Sequence, residues 1–297
     1  MRAFVLSGGG NLGAMQVGAL RRLLEQGVIP DLVIGTSAGA LNAAYLAAYP
    51  QDRMLSGLEQ WWQDAAQAQL YPWGSPRIFW RLFRGERSLF SHSPLRRFIE
   101  ARIPRGVFRF QDLAGPRLYI TAAELPMGTL RLFGESPEDL ILDALMSTTS
   151  IPPYHPPWTC SDGSVCIDGG VIAFLPLRVA LAKGAREIYA FPILPARPIS
   201  LKGDLMDLAW LAISLMLRCQ VEVELRWSVE QPGVRIHWIA LMPPDALPFW
   251  DFRHARALIE AGYQQAALAL SQESIAGILP GGWGSDGEGR ERAFPPA

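Results

Sequence analysis

Short unbroken apolar runs and longer, helically spaced ones alternate from the start of the chain. Residues 3–6 form an apolar run ended by Gly8-Gly9-Gly10, which reads as a buried strand meeting a tight loop. Apolar residues at 15, 17, 20, 23 and 24 then approximate helical spacing, and Gly27 supplies a C-terminal stop. A second apolar strand follows at 31–35, then a helix of small residues at 38–48. Two strand–helix units in succession predict a parallel sheet covered by helices.

Further on, 52–68 reads as a helix, whereas 71–110 mixes proline, glycine, aromatics and arginine without a clear period. Residues 117–123 and 129–133 predict a hairpin turning through Pro126-Met127-Gly128. A helix at 137–147 and a proline-rich loop at 151–157 lead to Asp168-Gly169-Gly170. Helices at 177–183, 205–217 and 254–270 then alternate with strands at 187–193 and 234–241. The whole predicts one α/β domain over 1–280, a three-layer α/β/α arrangement on a mainly parallel central sheet. The glycine-rich, charged stretch 281–297 reads as a disordered tail.

Composition narrows the choices. A net charge of −1 over 297 residues gives no global reason to expect a nucleic-acid partner. The apolar run at 205–217 is too short for a membrane span and reads as a buried helix, and no leader peptide is recognisable. Cys160, Cys166 and Cys219 lack metal-ligand spacing and read as packing residues in a reducing, cytoplasmic setting. No acidic cluster has calcium-loop spacing, so neither metal nor cofactor is expected.

Chemistry enters at Gly35-Thr36-Ser37-Ala38-Gly39. A serine on a sharp strand-to-helix turn, with glycine two before and two after, is the context of a nucleophile elbow. Ser37 is thus the candidate nucleophile and Gly35 and Gly39 its elbow. The loop Gly8-Gly9-Gly10 can point backbone N–H groups at a developing oxyanion, at the positive end of the next helix. The spacing Gly8, Gly10, Gly13 also fits a dinucleotide fingerprint, but the acid wanted at the end of the second strand is missing there. Asp168, ahead of two glycines, is either an ordinary turn or a carboxylate brought close to another backbone. A histidine triad would draw on His237 or His254, although only two strands precede Ser37.

Taken in order, these segments resemble the patatin-like phospholipases, and so does Ala144-Leu-Met-Ser-Thr-Thr-Ser-Ile-Pro-Pro-Tyr-His-Pro156. The resemblance implies a Ser37–Asp168 dyad without histidine, and an oxyanion held by Gly8, Gly9 and Gly10. It implies an enzyme that cleaves lipid carboxylic esters through an acyl-enzyme, as a phospholipase A or lysophospholipase. A short-chain carboxylesterase or thioesterase is the nearest alternative, and a non-catalytic dinucleotide- or lipid-binding protein the alternative of another class. Many family members carry Arg or Lys beside the oxyanion glycines; this chain has Asn11-Leu12, so less positive charge is on offer.

Between 77 and 109 lie nine arginines and two acids, Glu86 and Glu100. This cluster belongs to no nucleic-acid reader motif. Around 71–110 the chain is read as a cap, a peripheral contact with the inner membrane surface, or plain packing. Phe79, Trp80 and Phe83 are candidates to floor an acyl-chain tunnel, with Asn11 and His155 as further pocket lining. Trp61, Trp62 and Trp210 read as core or as tunnel wall.

Overall fold

A computed structural model describes residues 1–273 apart from 50–52, 54, 56, 69, 73–75, 195–204, 245–246 and 249. The tail expected at 281–297 lies outside the described residues. Successive residues of β1 (Arg2–Leu6) enter two different cores: Phe4 and Leu6 on one side, Ala3 and Val5 on the other. A strand buried on both faces has no polar side to show, hence its unbroken apolar run.

β1 is flanked in parallel by β2 (Leu32–Gly35) and β7 (Glu187–Phe191). β8 (Arg235–Trp238) extends the parallel sheet beyond β7, and β3 (Arg117–Glu124) extends it beyond β2. The second half of β3 pairs antiparallel with both β4 (Thr129–Phe133) and β6 (Val165–Asp168). β5 (Trp158–Thr159) closes that edge against β6. This register positions the site. Gly35 is level with Ile120, and Asp168 is level with Ala122, so the end of β6 lies just past the end of β2.

On the Phe4 side the core is closed by α1 (Gly13–Glu25), α2 (Ala38–Ala48) and α9 (Ala255–Glu273). On the Val5 side it is closed by α7 (Leu177–Ala182) and by Val221 of α8 (Leu205–Val229). Helices on both faces of a mainly parallel sheet make the three-layer α/β/α architecture.

Four expectations change. The helix read over 52–68 is α3 (Leu58–Ala65), because Gly57 stands at φ +87° and interrupts it. The helix read from 137 is α6 (Ile141–Thr148), because Asp139 instead accepts the Gly134 N–H at 2.8 Å in the preceding turn. Residues 71–110 divide in two. α4 (Pro76–Phe83) is largely outward-facing, whereas α5 (Ser93–Glu100) buries Leu95, Phe98 and Ile99 in the core. α8 runs on to Val229, and it is not a buried helix: Leu208, Leu215, Met216 and Val223 are exposed. Its Cys219 is exposed too, unlike the buried Cys160 and Cys166.

Candidate active site

Ser37 joins β2 to α2 with φ +53° and ψ −123°, the one non-glycine at positive φ among the described residues. Such a conformation costs on the order of 1–3 kcal/mol and persists only where the surroundings enforce it. They do so by space. A Cβ on Gly35 would come within 2.5 Å of the Ala40 backbone, and one on Gly39 within 2.5 Å of the Leu6 and Ser7 carbonyl oxygens. The turn is therefore clamped between β1 and its own helix. The Ser37 N–H is held in addition, donating to Thr148 Oγ1 at 2.7 Å.

The glycine loop abuts this serine. A Cβ on Gly8 would stand 2.8 Å from the Phe174 ring and 3.3 Å from Ser37 Cβ. Gly8 donates its N–H to the Phe174 carbonyl at 3.1 Å, so that donor is already taken, contrary to the expectation of three free amides. The N–H groups of Gly9 and Gly10 have no protein acceptor among the described residues. A buried polar chain fixes the loop from behind. Gln16 Nε2 donates to the Ser7 carbonyl at 3.0 Å, Asn42 Nδ2 to Gln16 Oε1 at 3.0 Å, and Trp62 Nε1 to Asn42 Oδ1 at 2.8 Å.

Asp168 ends β6 and is buried. Its Oδ1 accepts the Gly170 N–H at 2.7 Å, and its own N–H donates to the Ser150 carbonyl at 3.0 Å. Burial pushes its pKa up to about 6, a rise held back by the nearby Ser37 hydroxyl and by the hydrogen bond from the Gly170 N–H. Ser37 and Asp168, 131 positions apart, thus come to the wall of one cavity, with the hydroxyl near enough to hold the carboxyl pKa down.

Both open onto a cavity of about 700 Å³, within the range of small-ligand sites. Its walls are mostly apolar. Trp61, Trp62, Leu95 and Phe98 line one part, and Ile213, Met216 and Leu217 of α8 another. Gly8, Gly9 and Gly10 lie along it beside Ser37 and Asp168.

Other candidates go elsewhere. Phe79, Trp80 and Phe83 are not on the cavity wall but stand 67%, 58% and 74% exposed on α4. Asn11 does not line the cavity. It is buried behind the loop, where Nδ2 donates to the carbonyls of Pro248 (3.0 Å) and Asp251 (2.6 Å). His155 backs the wall without reaching it, its ring tilted 5.2 Å from that of Tyr71 and stacked 5.6 Å from that of His92. Complete burial pushes its pKa down to about 3 and keeps it neutral. His237 stacks on Tyr189 at 4.1 Å and faces Glu187, while His254 lies beside Asp251. Neither is among the described residues lining the cavity. The side chain of Trp210 lies outside the described residues.

Sequence reasoning missed Thr148 and Gln220. Gln220 Nε2 donates to the carbonyls of Gly170 (3.3 Å) and Val171 (3.1 Å), steadying the turn after Asp168. No local spacing could reveal it, since the contact spans 50 residues.

A family model, patatin-like phospholipase, matches residues 4–181. The chain is 30% identical to patatin-like phospholipase domain-containing protein 7 of Rattus norvegicus, over 93% of this chain and 21% of the rat protein. It therefore spans about a fifth of that relative's length. It is 26% identical to the uncharacterized protein YqhO of Bacillus subtilis (strain 168), over 90% of this chain and 97% of YqhO. Among solved structures, VipD from Legionella pneumophila is similar in fold, with a TM-score of 0.52 at 16% identity, covering 91% of this chain and 67% of VipD.

Proposed function

The chain belongs to the patatin-like phospholipase family, and from that premise we propose that it is a serine acyl hydrolase acting on lipid carboxylic esters, of phospholipase A or lysophospholipase type. The observation that carries this reading is a conformationally strained serine that shares the wall of a mostly apolar cavity with a buried carboxyl group. In the proposed cycle Ser37 Oγ attacks the ester carbonyl carbon while its proton passes to Asp168. The oxyanion of the tetrahedral intermediate rests against the N–H groups of Gly9 and Gly10, with Gly8 contributing space rather than a donor. As the intermediate collapses, the carbon–oxygen bond to the alcohol breaks and Asp168 returns the proton to the leaving oxygen. Water then attacks the acyl-enzyme, gives its proton to Asp168, and the carboxylic acid leaves as Ser37 is reprotonated.

The apolar cavity suits the acyl chain, and Trp61, Trp62, Leu95 and Phe98 are its proposed wall. Residues 71–110 are proposed to touch a membrane through α4, where exposed aromatics stand beside Arg84 and Arg87. The free thiols fit the cytoplasm, with peripheral contact at the inner membrane surface.

The test is turnover of p-nitrophenyl esters and lysophosphatidylcholine by four variants. Ser37→Ala and Asp168→Asn should each fall by roughly 10³-fold or more, whereas His237→Ala and His254→Ala should keep most of the activity. Loss in either histidine variant with folding intact would replace the dyad by a triad.

A further inference from the structure

The cavity beside Ser37 has an apolar rim. Val171, Ile213 and Met216 belong to its wall and yet are 52%, 37% and 66% exposed. From that rim the exposed apolar surface continues along α8 through Leu208, Leu215 and Val223. These three are seven and eight residues apart, so they fall on successive pairs of turns along one side of the helix. α8 is 25 residues long, but Arg218, Glu222, Glu224 and Arg226 interrupt it. No helix among the described residues is long and apolar enough to cross a membrane. Exposed apolar side chains gathered beside a cavity rim mark an interaction site.

We infer that this face of α8 docks on the surface of an anionic lipid bilayer, and that the acyl chain passes from the bilayer over Met216 and Ile213 into the cavity. The inference rests on the acyl-hydrolase reading and adds the route by which substrate arrives. Two observations choose the occupant. First, the exposed face and the cavity wall share residues, so a second copy or another protein seated there would cover the entrance, whereas a bilayer would supply it. Second, α4 packs behind the wall of the same cavity: Ile78 belongs to one cluster with Ile151, Tyr154 and Trp250, all three of which line it. From there α4 presents Phe79, Trp80 and Phe83, with Arg84 and Arg87 following, in a stretch holding nine arginines against two acids. Aromatic side chains suit the headgroup boundary, and arginines suit anionic lipid. α8 thereby supplies the apolar contact and α4 the cationic one.

Flotation of the full chain with phosphatidylcholine vesicles containing phosphatidylglycerol tests this, using Ser37→Ala protein so that binding is read without turnover. Replacing Leu208, Leu215 and Val223 by Gln, none of which lines the cavity, should weaken vesicle affinity about tenfold or more. On the catalytically intact background the same three changes should leave soluble short-chain ester turnover within about twofold. Leu215→Gln alone carries the test should the triple variant not fold. Unchanged vesicle affinity would overturn the inference. So would sedimentation showing a dimer that the triple variant dissociates, since the face would then belong to a second copy. Failure of the hydrolase reading looks different: no short-chain turnover at all, with vesicle binding intact.

Discussion

Asp168 answers two demands that oppose each other. As the proposed base it must be ionised, yet burial disfavours its charge and lifts its pKa from 3.8 to about 6. The folded protein therefore holds this proton more tightly than the unfolded chain does. The stability that follows is full below about pH 4 and is lost as pH rises through about 6. Asp168→Asn removes that penalty. It should raise unfolding free energy at pH 8 by on the order of 3 kcal/mol relative to wild type, with the gain vanishing near pH 4. Thermal melts of both proteins across that range would check it. In the wild type kcat/KM should climb through an apparent pKa near 6 as the carboxylate becomes available. Ser37 shows the same tension in its backbone, since a non-glycine at φ +53° sacrifices stability to present its hydroxyl.

At the scale of elements, what was legible in the sequence was whatever local pattern determines. The runs that became β1, β2 and β7 announce themselves because strands buried on both faces tolerate no polar residue. The elbow was readable because the collisions that demand Gly35 and Gly39 involve the turn's own helix and the neighbouring β1. α8 misled for a related reason: apolar residues on every side of a helix signal burial, and only the tertiary structure shows which side stays bare. Phe79, Trp80 and Phe83 misled likewise, since an aromatic cluster reads the same facing a tunnel or facing outward. The glycine loop was found, but not that Gly8 gives its N–H to Phe174, a partner 166 residues away. The crossing of α1 and α9 was invisible as well. A Cβ on Gly18 would lie 1.8 Å from the Ile259 carbonyl oxygen, and one on Gly262 1.9 Å from that of Met15. Gly18→Ala should therefore force the helices apart and cost roughly 1–3 kcal/mol or more, measurable as a lower urea midpoint. An unchanged midpoint would mean that the crossing is looser than these distances.

For the molecule as a whole, the sheet converts distance in sequence into adjacency. Parallel β1 and β2 deliver the glycine loop and Ser37 to the same edge, and antiparallel β6 returns to bring Asp168 level with them. α2 and α3 then wall one part of the cavity and α8 another, so the two layers flanking the sheet jointly enclose the proposed acyl site. Ser37 is the proposed activated nucleophile of this enclosure. Incubation with a fluorophosphonate and peptide mass spectrometry tests it directly. A single covalent adduct is expected at Ser37, absent in Ser37→Ala and strongly slowed in Asp168→Asn. Folded wild-type protein that takes no label, or takes it at another serine, would contradict it.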